Sequence, residues 1–358
     1  MLKVRTLINI KNLMLSLSIS LSMVIVGCAS TSTSPLKLKS TKIRPISKNT
    51  LSDTGEPINI DTRPNGAVWQ LMPKAPGDLI TQGNGLFISF LKPTTSPKVL
   101  AEVGDQPYIS VDGRNWTSAP SRIPIWGRGS IFAEGWFYII GEGIPPHNNL
   151  GVIMRSKDGI NWEKVFSRGS NPFTTIRYLN GGFVVTGQNG VVATSRDGRH
   201  WQQQQIKNVL AFYDADYFEG EYLLTGDAMA LYSSNDLASW RNLSTENLLS
   251  AGSRNLQHNT DTLLLQTDAY LYIYRDKHWL FKKLTKDGSG FDNYISKLSP
   301  SSEGFVVTNK NKQVLRSQDG VNWQTLSQLK FADSSTICES RCIVYNYQIV
   351  KLPKGSIE

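Results

Sequence analysis

The residues able to do chemistry in this chain are few and mostly repeat. The most insistent is an aspartate set two positions after a serine and one before a glycine. Ser195-Arg196-Asp197-Gly198-Arg199-His200-Trp201 is the fullest copy, and residues 110–116, 156–162 and 317–323 repeat it around Asp112, Asp158 and Asp319. In a weaker copy, around Asp236, Leu237 replaces the glycine. Asp276-Lys277-His278-Trp279 is one residue short, and Asn65-Gly66-Ala67-Val68-Trp69 has Asn for Asp and no Ser. The markers Asn65, Asp112, Asp158, Asp197, Asp236, Asp276 and Asp319 fall 39 to 47 residues apart, each followed by a tryptophan: Trp69, Trp116, Trp162, Trp201, Trp240, Trp279 and Trp323. An active-site acid is built once, so a carboxylate repeated at this period reads as a turn device.

Each position has a structural use. Asp-Gly between extended runs signals a hairpin, because Gly accepts positive φ without a Cβ clash. The carboxylate, and the serine hydroxyl from the other side, can take the turn's own N–H groups. The tryptophan opens the next strand and buries a large apolar area. Before each turn lie two short β-branched and aromatic runs, such as Gly182–Gly187 and Val191–Ser195. Four strands per period of about 40 residues, with the turn between the third and fourth, predict an all-β seven-bladed propeller of four-stranded antiparallel blades. Ile58-Asn59-Ile60-Asp61 precedes the first marker, and about 35 residues follow the last. Early strands are therefore expected to share the final blade with 336–338 and 342–347, which removes the open edge.

Other chemistry is sparse. His147, His200, His258 and His278 are dispersed and show no zinc spacing. No metal, cofactor or phosphate loop is read, and no pair of carboxylates can be assigned for glycoside hydrolysis. Cys338 and Cys342 are expected to form a disulfide between two short strands. Free thiols or half a metal site are the alternatives, disfavoured because no second Cys or His pair lies nearby. Non-repeating loops fall on the face opposite the Asp-Gly turns: 92–105, 142–150, and the second-to-third-strand connections. His147, Asn148, Gln188, Asn189, Asp227, Asp268 and Asn309 are the ligand-face candidates, since loops on a rigid scaffold carry function.

The repeat resembles the Asp box, or BNR-like repeat, of the sialidase superfamily and related propellers, across essentially all of 57–358. The usual box has one residue between Asp and Gly; here they are adjacent. The resemblance implies the fold. Sialidases use three arginines, a Tyr with a Glu, and an Asp acid. Arg122-Ile123-Pro124 is similar to their Arg-Ile-Pro element, but it follows a box rather than preceding all of them, and no spacing ties Arg177 and Arg254 to it.

The N-terminus sets the compartment. Lys3, Arg5 and Lys11 precede an apolar run from Leu13 to Val26, about 14 residues and too short to span a bilayer. Residues 1–27 read as a signal peptide. Ile25-Val26-Gly27-Cys28 resembles the bacterial lipobox, which implies acylation of Cys28 and, with Ala29 next, sorting to the outer membrane. Residues 28–56, rich in Ser, Thr, Lys and Pro, read as a flexible tether. Leader and tether each contribute +3 to the formal net charge of +9. Only +3 remains for 57–358, with no basic stripe for nucleic acid. The expectation is a monomeric, lipid-anchored propeller that binds or scaffolds an envelope protein or glycan. A sialidase-like hydrolase is the alternative.

Overall fold

The computed structural model describes residues 42–46, 51–57, 59–61, 69–93, 103–145, 150–169, 171–244, 253–267, 270–283, 304–308, 313–333, 335–338, 342–345 and 348–352. They form seven sheets arranged as a seven-bladed β-propeller. The first blade comprises Leu79–Gly83, Leu86–Leu91, Gln106–Ser110 and Thr117–Ser118. The second comprises Ile125–Ala133, Trp136–Gly143, Gly151–Ser156 and Glu163–Arg168. Phe173–Leu179, Gly182–Gly187, Val191–Ser195 and Gln202–Gln205 make the third. The fourth holds Phe212–Phe218, Glu221–Gly226, Leu231–Ser234 and Arg241–Asn242. The fifth holds Ser253–His258, Thr262–Thr267, Tyr270–Arg275 and His278–Lys283. Phe305–Thr308, Gln313–Ser317 and Asn322–Gln328 belong to the sixth.

Burial explains the strand chemistry. Second strands are covered by the blades on both sides, so Gly182–Gly187 and Thr262–Thr267 are buried along their whole length. That requires a continuous apolar run rather than alternation. Fourth strands lie at the rim, and Gln202–Gln205 is a polar, exposed edge.

The seventh blade closes the ring. Its strands Cys342–Tyr345 and Gln348–Lys351 are antiparallel, and the early strand Gln70–Leu71 pairs with the latter, placing Val350 opposite Leu71. The closing strand thus comes after the first marker, not before it. Asn59–Asp61 instead runs parallel along the outer strand of the sixth blade, and Leu51–Pro57 does the same on the fifth. Residues 336–338 form no strand.

Part of the stretch expected to be tether, 28–56, belongs to the propeller instead. Ile43 and Ile46 are fully buried, and a compact unit spans Ser40–Glu358. Residues 42–46 and 51–57 lie along the rim, held by backbone pairing and the two isoleucines. Backbone pairing carries no side-chain pattern, so these pieces read as linker. Residues 1–41, and with them Cys28, lie outside the described residues.

Seven apolar clusters sit where adjacent blades meet, and each contains one of the seven marker tryptophans. Trp116 lies between the seventh and first blades, then Trp162, Trp201, Trp240, Trp279, Trp323 and Trp69 follow around the ring. The tryptophan is therefore the inter-blade core residue, beyond covering its own hairpin. Ring closure is also stapled by Arg114, whose Nη1 donates to the carbonyls of Asp333 and Thr336 at 3.3 and 3.2 Å. Cys338 and Cys342 are disulfide-bonded beside that joint.

Candidate functional site

The repeated turn is a closed hydrogen-bond unit. Asp197 Oδ1 accepts the Arg199 and His200 N–H groups at 2.9 and 2.8 Å, and Ser195 Oγ accepts the Gly198 N–H at 2.9 Å. Ser195 Oγ also donates to Asp197 Oδ1 at 3.1 Å. The same geometry recurs at Asp158 and Asp319. Asp112 and Asp236 likewise accept two backbone N–H groups each. The turn is wider than a two-residue hairpin. Gly198 sits at φ +66°, and a Cβ there would lie 2.0 Å from the Tyr138 hydroxyl of the preceding blade.

Donors of this kind hold the carboxylates ionised. At Asp197 the His200 N–H and ring and the Arg199 N–H pull the carboxyl far below its usual range. At Asp112 burial pushes up, but Asn115, Arg114 and Ser110 outweigh it and bring the group to about 2. Such an acid has no proton to give near neutrality. Asp276 departs from the pattern: Asp276 and Lys277 both take positive φ in a two-residue hairpin. Asn65 is outside the described residues, while Trp69 is buried at the start of the closing strand.

The first strands carry a polar ring. The Thr174 and Thr175 hydroxyls donate to the carbonyls of Phe212 and Tyr213, joining the third blade to the fourth. Arg177 Nη2 pairs with the buried Asp214 Oδ1 at 2.8 Å, and Asp214 Oδ2 accepts the Leu256 N–H of the fifth blade. His258 Nδ1 lies 3.0 Å from Asp216 Oδ2. Arg177 is thus engaged by a neighbouring carboxylate. Asp214, Asp216 and Asp105 were missed by sequence reasoning, and only the oddity of acids within apolar strands signals the first two.

Arg122 and Asp105 meet where the 92–105 insertion returns. Arg122 Nη1 donates to the Gly104 carbonyl at 3.1 Å, and Trp126 Nε1 to that of Val103 at 3.3 Å. Asp105 is fully buried and its Oδ2 accepts the Gly127 N–H at 2.8 Å. Burial pushes its carboxyl up to about 6, against the Gly127 donor and the charges of Lys92 and Arg122. The Arg122-Ile123-Pro124 element docks this limb onto the second blade.

A Tyr–Glu pair does exist, but on the turn face. The Tyr178 hydroxyl donates to Glu134 Oε1, and that bond, with lesser contributions from burial, pushes the phenol up. A tyrosine nucleophile needs the opposite shift.

Of the ligand-face candidates, Gln188, Asn189 and Asp227 are described. Gln188 N–H donates to the Pro172 carbonyl, and Asn189 N–H to that of Leu210. Asn189 Nδ2 donates to Asn171 Oδ1, and its carbonyl accepts Gln205 Nε2. Asp227 Oδ1 accepts the Tyr213 hydroxyl at 2.8 Å. These two loops are tied to the linkers entering the same and the following blade, while the Gln188 and Asn189 side chains remain exposed. His147, Asn148, Asp268 and Asn309 lie outside the described residues. Among the described residues no group of three His, Cys, Asp or Glu is placed to hold a metal, and no helix is long and apolar enough to cross a membrane.

Solved structures share the fold. YCF48 bound to D1 peptide is similar with a TM-score of 0.53 and 14% identity, over 84% of this chain and 98% of that one. The WD40 β-propeller domain of Doa1 gives 0.53 and 11%, over 80% and 97%. A chain of the S. cerevisiae complex of Dbp5 with Nup159, Gle1, IP6 and ADP gives 0.52 and 11%, over 85% and 100%. At these identities the likeness is of fold alone. No protein-family model matches the chain, and no curated protein is similar in sequence.

Proposed function

We propose that this chain is a lipid-anchored β-propeller of the cell envelope that binds or scaffolds an envelope protein or glycan. Cys28 is the acylated anchor, Ala29 favours the outer membrane, and the Asp-Gly turns are degenerate Asp boxes. The observation that carries a binding role over hydrolysis is the Arg177–Asp214 pair, which ties up the arginine best placed on the inner strands. The high phenol of Tyr178 points the same way. A solved relative of this fold holds a peptide, and propeller loops displayed on a rigid frame suit such a ligand.

Affinity capture with the full, anchored chain from detergent-solubilised envelope membranes tests this reading. A specific envelope protein or glycan recovered in proportion to the bait is expected. Recovery of neither, together with release of sialic acid from a fluorogenic sialoside, would contradict it and favour the hydrolase.

A further inference from the structure

The joint between the fourth and fifth blades is unlike the others, because its cleft is filled by the chain's own residues 42–46. Ile43 and Ile46 are fully buried there among Leu231, Leu243, Tyr274 and Trp279, while Lys42 and Arg44 point to solvent. Side chains read the main chain of this segment. Ile43 N–H donates to Glu221 Oε2 at 3.2 Å, and Arg241 Nη2 donates to the Ile43 carbonyl at 3.2 Å. Glu221 is buried and shares Arg241 in an ion pair at 3.3 Å. Arg44 N–H reaches the Tyr274 hydroxyl at 3.3 Å, and the Arg44 carbonyl accepts Trp279 Nε1 at 2.9 Å. Ile46 N–H then donates to the Leu243 carbonyl at 2.8 Å.

The shortened turn at Asp276-Lys277 explains one of these contacts. At two of the full turns the indole N–H, of Trp162 and of Trp323, closes on its own turn glycine carbonyl, while that of Trp201 is buried without a partner among the described residues. At Trp279 the two-residue hairpin offers no such carbonyl, and the indole reads Arg44 instead. Farther along the rim, 51–57 and 59–61 are held by strand pairing that many sequences could make. Among the described residues of this rim, 43–46 is where a carboxylate, a guanidinium, a phenol and an indole converge on one main-chain segment, with Ile43 and Ile46 buried in the same apolar cluster. Main-chain bonds for affinity with buried side chains for specificity is the logic of peptide recognition.

We infer that the cleft between the fourth and fifth blades is a binding site for an extended peptide with two β-branched apolar residues three apart, occupied in cis by Ile43–Ile46. An emptied cleft leaves Glu221 with Arg241 but without the Ile43 N–H, and the Trp279 indole N–H without its acceptor, which favours a matching segment that refills it. The site is independent of the anchor and of the opposite loop face.

The test uses the full chain and a fluorescent synthetic peptide spanning 40–48. The double variant Ile43→Ser, Ile46→Ser frees the cleft and should bind the peptide saturably. The unaltered chain should bind at least tenfold more weakly, because its own segment competes at high effective concentration. Adding Glu221→Gln to the double variant should weaken binding at least tenfold. A folded double variant that binds nothing, or equal binding with and without Glu221→Gln, would overturn the inference. So would a double variant that no longer folds, since the segment would then be core rather than ligand.

Discussion

Asp105 and the turn aspartates carry one side chain into opposite environments, and the sign of their pH response follows. Asp112 is held at about 2, below its unfolded value of 3.8, so its contribution is present above that value and fades as pH falls through about 2. Asp105, raised to about 6, binds its proton more tightly in the folded chain, so its contribution is present below pH 4 and is lost as pH rises through 6. Asp105→Asn should therefore flatten the stability profile between pH 4 and 6. It should also stabilise the chain at pH 7 by about 2–3 kcal/mol. Urea unfolding across that window checks it, and an unchanged slope would refute it. Leu237 presents a different contest. It adopts φ +65°, where its siblings are glycine, at a cost of about 1–2 kcal/mol. Its side chain is buried with Val184 and Val192, a gain of roughly 1.5–3 kcal/mol. Burial wins, so Leu237→Gly should lower the melting temperature by a few degrees rather than raise it. The Leu substitution was visible in the sequence, but the pocket that rewards it was not.

Among the elements, what repeats was legible and what does not repeat was mostly hidden. Turn, flanking strands and tryptophan recur at fixed offsets, so four strands per period could be read directly. The rim pieces 42–46 and 51–57 could not, because parallel pairing to a neighbouring strand places no demand on side-chain type. The 103–105 limb was equally silent, since it is docked by donors to main-chain carbonyls. The tryptophans bind each blade to the next. Trp323→Ala, which empties the joint between the fifth and sixth blades, should cost about 3–5 kcal/mol in chemical denaturation. A loss below 1 kcal/mol would mean the blades are not held through this residue.

For the whole molecule, closure is what lets a chain of short strands stand as one body. Gln70–Leu71 completes the blade begun by the C-terminal strands, so the two ends of the domain are locked together. The first described residue, Lys42, lies 14 residues after Cys28, the proposed lipid site. Cys28→Ser should release the full chain from membranes into the soluble fraction, and undiminished membrane retention would defeat the anchoring. The two faces differ in kind. One carries self-satisfied turns, and on the other the described loops at Gln188 and Asp227 are tied to their frame. Site-specific photo-crosslinking in cells, with a photoreactive residue at Gln188 or at Arg199, separates them most directly. A discrete adduct with an envelope partner is expected from Gln188 and none from Arg199; adducts from Arg199 alone, or from neither, would overturn a binding role for the loop face.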